Sequence, residues 1–243
     1  MRRREHYEEM TSQELLYEGK AKKVFDTDVP GTVIVEFKDD ATALNGEKRG
    51  RIAEKGIANA AISSKLFPLL EVQGIPTHFR EQLDARRLAV DLLQMIPLEV
   101  VVRNRVAGSL EKRTGLQEGT VLDKAVLELY FKNDQLGDPL LNDDHIEVLG
   151  LATSAMLQQL RIQAMKINTI LTAFFAQRQL ILVDFKLEFG LRDGQLVLGD
   201  EISPDTCRLW DENTLKKLDK DRFRRDLGGV EEAYHEVLTR VLS

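Results

Sequence analysis

The run LILVDFKLEFG, Leu180 to Gly190, sets Asp184, Lys186 and Glu188 at alternate positions among apolar residues. Side chains alternate across a strand, so the three charges share one face about 6.6 Å apart, with Val183, Phe185, Leu187 and Phe189 on the other. Downstream, Asp193-Gly194 between two apolar runs is a hairpin signal that folds QLVLGDEIS back and brings Asp200 towards Glu188. Opposed or diagonal hairpin residues lie about 5 to 8 Å apart, within reach of one divalent cation. Hard carboxylate oxygens suit Mg²⁺, which takes one or two carboxylates and completes its shell with water and substrate phosphates. A salt-bridged, solvated strand face is the competing reading of the same residues.

Three further stretches are suited to anions. In YEGKAKKVF, Gly19 lies between strands and Lys20 and Lys22 alternate, a turn that can lie over nucleotide phosphates where glycine lets the backbone approach. It is neither a Walker loop nor a GxGxxG fingerprint, and a solvated basic turn has the same composition. In IPLEVVVRNRVAGSL, an apolar strand delivers Arg103, and Ala107-Gly108-Ser109 opens a helical turn. A forked donor, backbone N–H groups and a hydroxyl together receive a phosphate monoester, although a strand-end arginine beside a capped helix reads the same way. In SPDTCRLWD and KDRFRRDLGG, Arg208 and Arg224 sit where loops after the hairpin can close on an anionic substrate. A solvated helix face is the plainer account of the second run. Trp210 reads as a packing anchor.

The elements that must position these residues follow from pattern. Leu15 to Phe37 reads as an antiparallel meander of short strands, and Arg51 to Leu70 as a helix with Ile57, Ala61, Ser64 and Leu66 to Leu70 apolar, stopped by Gly74 and Pro76. Strands are expected at Arg87 to Leu93 and Leu98 to Val106, and a long loop at KNDQLGDPLLNDDH. A helix over Thr153 to Arg178 carries Leu157, Leu160, Ile167, Ile170, Leu171 and Phe174 on one stripe, with Thr153 or Ser154 as cap. The tail from Asn213 reads as a short helix and a terminal helix over Val230 to Val241. Strands first, then strands mixed with helices, predict an α+β fold.

The 243 residues, 43% hydrophobic and 30% charged, suffice for a real core without disulfides. A net charge of −6 argues against bulk nucleic-acid binding, so any anion site is local. The single Cys207 fits a reducing compartment, and no feature pairs it with a histidine. His6, His78, His145 and His235 form no ligand spacing. No apolar run approaches a membrane span, and MRRREHYEEM lacks the apolar core of a secretory signal. These features predict a cytoplasmic, enzyme-sized protein with no nucleic-acid or membrane partner. A homo-oligomer stays open, since apolar surface and core look alike in one sequence.

YEGKAK, IPLEVVVRNRVAGS, VDFKLEFG, LGDEISPDTCRLWD and DKDRFRRDLGG, spaced from about Leu15 to the C-terminal helix, closely resemble the phosphoribosylaminoimidazole-succinocarboxamide synthase (SAICAR synthetase) family. The resemblance implies a ligase that joins the carboxylate of CAIR, carboxyaminoimidazole ribonucleotide, to the amine of L-aspartate, giving SAICAR, ADP and phosphate. It implies an ATP-grasp-like α+β fold: an extension over 1–14, a β-rich nucleotide-covering part over 15–90, and a larger α+β part over 91–243. Carried over by motif, Gly19, Lys20, Lys22, Lys132 and Glu188 would bind ATP, and Glu188 and Asp200 would hold Mg²⁺. Arg103, Ser109 and Arg208 would take the ribotide phosphate. Glu99, Asp184, Lys186 and Arg224 would surround the CAIR imidazole and the reacting groups, with Lys186 and Asp184 catalytic.

Two positions depart from the family pattern: Asn59-Ala60 stands where many relatives have paired asparagines, and Asn45 where some have an acidic residue. Neither is given a role. Since a carboxylate is a poor electrophile, the implied path runs through an acyl phosphate, with catalysis by positioning and electrostatics. A small-molecule kinase, another carboxylate–amine ligase, and a nucleotide-binding regulatory module are the competing functions. A protein kinase lacks support, because HRD and DFG elements are missing.

Overall fold

A computed structural model describes residues 14–43 and 47–243. The expected N-terminal extension, apart from Glu14, and Asn45 lie outside the described residues.

The meander forms as its turn chemistry dictates. Strands β1 (Leu15–Glu18), β2 (Lys22–Phe25) and β3 (Thr32–Phe37) pair antiparallel, and the β-branched run of β3 is buried. A hairpin of β4 (Asp40–Ala43) and β5 (Lys48–Arg51) follows, then helix α1 (Lys55–Val72). Strands β6 (Phe79–Gln82) and β7 (Arg87–Asp91) complete a five-stranded sheet of order β1-β2-β3-β7-β6.

The second sheet is built from β8 (Gln94–Arg105), β9 (Val121–Phe131), β10 (Leu140–Leu141), β11 (Leu180–Arg192), β12 (Gln195–Leu198) and β13 (Cys207–Asp211). Its order is β10-β9-β8-β11-β12, with β13 beside the first half of β11, and every pairing is antiparallel. Helices α2 (Ser109–Thr114), α3 (Asp143–Val148), α4 (Ser154–Ala176), α5 (Asp221–Arg224) and α6 (Val230–Leu242) complete an α+β architecture. Leu157, Leu160, Ile167 and Leu171 of α4 pack on β8 and β11, and Thr153 caps α4 by accepting the Met156 N–H at 3.3 Å.

Three expectations are corrected. The run KNDQLGDPLLNDDH is not one long loop but holds a 3₁₀ turn over Asp134–Leu136, β10 and the start of α3. Side chains of Asn133 and Asn142 accept backbone N–H groups there and nucleate both turns. In α1 the buried face is not Ile57, Ala61 and Ser64. Ala58, Ala60, Ile62, Leu66 and Phe67 are buried instead, because the helix packs against three separate clusters.

In β11, Val183 does not share a face with Phe185. Leu180, Leu182, Phe185, Leu187 and Phe189 face the main core, whereas Ile181 and Val183 pack with Ala107 and Trp210. The β11–β13 register shifts between Leu182 and Asp184, and this bulge changes the phase of the strand.

Candidate active site

Asp193 and Gly194, with φ of 52° and 76°, make the tight turn between β11 and β12. The pairing runs back from Arg192↔Gln195 to Phe189↔Leu198, and the Gly199 N–H donates to the Glu188 carbonyl at 2.9 Å. Asp200 follows in a left-handed conformation, φ 58°, and both carboxylates face a cleft of about 870 Å³. Val33, Val35 and Val90 of the first sheet and Glu99, Val101 and Lys186 of the second line it. All thirteen candidate residues converge here: Gly19, Lys20, Lys22 and Lys132; Glu99, Lys186, Glu188 and Asp200; and Arg103, Ser109, Asp184, Arg208 and Arg224.

One end of the cleft interleaves lysines and carboxylates. Lys186 Nζ donates to Glu188 Oε1 at 2.6 Å and to Glu99 Oε1 at 3.0 Å, and lies 4.0 Å from Asp200 Oδ2. Lys132 pairs with Glu188 Oε2, and Lys22 with Asp200 Oδ1 and, at 2.9 Å, Glu201 Oε1. Burial alone would lower Lys22 and Lys186. The Asp200 and Glu201 charges raise Lys22 above the usual lysine range, and Glu188, Asp200 and Glu99 do the same for Lys186. Burial conversely favours neutral Asp200, but Lys22, Lys186 and Lys132 hold it below the usual carboxylate range. Lys20 reaches across to Asp134 Oδ1 at 2.8 Å, where both side chains are well exposed.

At the other end, two arginines share one carboxylate. Arg103, 3% exposed, donates to Asp184 Oδ2 at 2.7 Å, Glu128 Oε2 at 2.6 Å and Ser109 Oγ at 2.9 Å. Arg208 Nη1 reaches Asp184 at 2.8 and 3.0 Å, and its Nε reaches Asp221 Oδ2 at 2.9 Å. Burial works against the charge of Arg208, but Asp184 and Asp221 raise its pKa overall. Gly108, φ 58°, underlies this pair, since a Cβ there would stand 2.6 Å from Arg208 Nη2. Arg224 Nη1 donates to Asp221 Oδ1 at 2.7 Å.

Sequence reasoning missed several groups. Glu201, adjacent to Asp200 in GDEIS, is buried and lines the cleft. Tyr130 donates to Glu128 at 2.8 Å, and its hydroxyl accepts from Arg103 at 3.2 Å. Asp205 and Lys220 also line the wall. An acidic residue beside Asp200 and a tyrosine two places before Lys132 were the available signals. Cys207 is buried and its thiol is pushed far up by that burial, so it is no nucleophile.

Among the described residues no group of three or more His, Cys, Asp or Glu side chains is arranged to hold a metal, and no helix is long and apolar enough to cross a membrane. The family model for SAICAR synthetase matches residues 15–241. A phosphoribosylaminoimidazole-succinocarboxamide synthase of Chlorobaculum parvum is 58% identical over 233 residues, covering 96% of this chain and 99% of that one. Among solved structures, the synthase of Ehrlichia chaffeensis superposes with a TM-score of 0.92 at 47% identity, covering 94% of this chain and 98% of its own. A SAICAR synthetase in complex with ADP gives 0.90 at 51%, covering 93% and 96%. A match of this length, on a chain whose cleft gathers all thirteen candidate residues, makes this protein a member of the SAICAR synthetase family.

Proposed function

We propose that the chain is an ATP-dependent ligase that joins the CAIR carboxylate to the amine of L-aspartate, releasing ADP and phosphate. The observation that carries this is the convergence in one cleft of a lysine–carboxylate end and an arginine end. That polarity suits a triphosphate at one end and a ribotide phosphate at the other. Residues 15–90 would cover the nucleotide and 91–243 would carry most of the ribotide contacts.

The donor set fits Mg²⁺. Three ammonium groups, on Lys22, Lys132 and Lys186, face four carboxylates, on Glu99, Glu188, Asp200 and Glu201, so one formal negative charge is left over. Magnesium needs only one or two carboxylates when water and phosphate oxygens complete its shell. Glu188 and Asp200 would hold it, and when bound it supplies charge neutralisation at the transferring phosphoryl group.

The chain's own residues do the positioning. Lys20, Lys22 and Lys132, with the backbone at Gly19, would draw in the triphosphate, while Arg103, Ser109 and Arg208 fix the ribotide phosphate. Lys186, between Glu99 and Glu188, would orient the CAIR carboxylate for in-line phosphoryl transfer, and Asp184 keeps Arg103 and Arg208 together. The acyl phosphate so formed accepts the aspartate amine and loses phosphate. No covalent enzyme nucleophile is needed. Cys207, buried and unreactive, suits the reducing cytoplasm in which we place the reaction.

The test mixes protein, MgATP, CAIR and L-aspartate and follows ADP and SAICAR. Equal formation of both, dependent on aspartate, is expected. ADP release indifferent to aspartate favours a kinase, and nucleotide binding without turnover favours a regulatory module.

A further inference from the structure

The cleft wall carries a cation that neither phosphate site uses. Lys220, at the entry to α5, is largely buried, and its ammonium makes no hydrogen bond among the described residues; its ion-pair partner, Asp205 Oδ2, lies 3.6 Å away. Asp205 is already engaged from behind. Lys55 of α1, 1% exposed, donates to Oδ2 at 2.8 Å, and Tyr234 of α6 donates to Oδ1 at 2.5 Å. One carboxylate therefore meets two ammonium groups, and Lys220 is the one on the cleft side. A mostly desolvated cation without a full partner is costly unless a ligand brings the missing charge. Burial lowers the pKa of Lys220 despite Asp205, consistent with that shortfall.

Its position selects the ligand. Thr206, next to Asp205, accepts the Lys186 N–H at 2.8 Å through its carbonyl, so this wall adjoins the strand assigned to the reacting carboxylate. Arg224 lies one turn further on, its N–H bonded to the Lys220 carbonyl at 2.9 Å, and lines the same wall. The triphosphate has Lys20, Lys22 and Lys132, and the ribotide phosphate has Arg103 and Arg208. The amino-acid substrate brings two carboxylates and must reach the reacting centre from a direction neither phosphate occupies.

We infer that Lys220 is the carboxylate receptor for L-aspartate, holding it beside the strand that carries Lys186. This rests on the ligase reading of the same cleft. An ammonium on a flexible stem is a point charge that accepts a carboxylate without demanding fork geometry.

Steady-state kinetics on Lys220→Gln and Lys220→Arg test the inference. Loss of one charge-assisted hydrogen bond is expected to raise KM for aspartate about ten- to a hundredfold in Lys220→Gln, with KM for CAIR and Kd for ADP within about twofold of wild type. Lys220→Arg, which keeps the charge, should recover most of the loss. An unchanged KM for aspartate, or an equal rise for CAIR, overturns the assignment. Circular dichroism checks folding, and Lys220→Met, which preserves stem volume, replaces the glutamine variant under the same criteria if that one does not fold. Wild-type turnover in the same assay separates the two claims, since a wild type that makes no SAICAR defeats the ligase reading itself.

Discussion

Replacing Asp184 by asparagine keeps the shape of the side chain and removes its charge. Asp184, 3% exposed, takes hydrogen bonds from Arg103 at 2.7 Å and from Arg208 at 2.8 and 3.0 Å. Removing one partner of a buried ion pair costs about 3–5 kcal/mol, because the other charge stays buried. Arg103 retains Glu128 and Arg208 retains Asp221, so the lower figure of about 3 kcal/mol applies. At about 2–4 °C per kcal/mol for a chain of this size, the melting temperature should fall by about 6–12 °C. The two guanidinium groups then lack their shared anion, so inorganic phosphate should raise the melting temperature more in Asp184→Asn than in the wild type. Scanning calorimetry with and without phosphate reads both effects. A loss under about 1 kcal/mol, the range of an exposed pair, together with equal phosphate shifts, would refute the reasoning.

Glu188→Gln and Asp200→Asn should each lower turnover by about a hundredfold or more with circular dichroism unchanged, and a near-normal rate at limiting Mg²⁺ would remove them as ligands. Gly108→Ala places a Cβ 2.6 Å from Arg208 Nη2 at a backbone angle that favours glycine. We expect about 1–3 kcal/mol of lost stability and a raised KM for CAIR, against which an unchanged melting curve and KM would count. Burial, with the neighbouring Asp221 charge, pushes the Asp219 carboxyl up to about 7. A raised carboxyl favours folding fully below the ordinary carboxylate range and loses that contribution as pH rises through about 7. Asp219→Asn should therefore flatten the decline in urea midpoint between about pH 4 and about pH 7, and parallel profiles for variant and wild type would show the proton is held elsewhere.

The meander, the β11–β12 hairpin, α4 and α6 were legible because local signals and period agree there: Gly31 and Asp193-Gly194 at turns, Thr153 at a cap, one apolar stripe on α4. The convergence of the candidate residues was legible only through whole motifs, since none of the stretches alone excluded a solvated surface. Strand β9 was not anticipated. Asp123 and Lys124 interrupt its alternation, and its partner β8 lies across the α2 segment. Strand β13 depends on pairing with β11 from far along the chain, which no local pattern records. The face of Val183 was misread because a one-residue bulge leaves no mark in composition. Lys220 and Asp205 were passed over because a surplus of charge shows only once Lys55 and Tyr234 arrive from distant helices.

The extra residue in β11 has a consequence for how this sequence can change. Upstream of it, even-numbered side chains such as Leu180 and Leu182 point to the main core, and downstream the odd-numbered Phe185, Leu187 and Phe189 do so. Deleting Val183 itself would restore plain alternation and leave Lys186 and Glu188 facing the cleft, whereas deleting Phe185 from the regular run beyond it would turn Lys186 and Glu188 towards the α4 side and Leu187 and Phe189 towards the substrate space. Substitution among apolar types at Leu180 or Leu182 is then tolerable, whereas a one-residue change of length between Asp184 and Glu188 is not. Spacing in this strand is inherited as strictly as the acids and bases it carries.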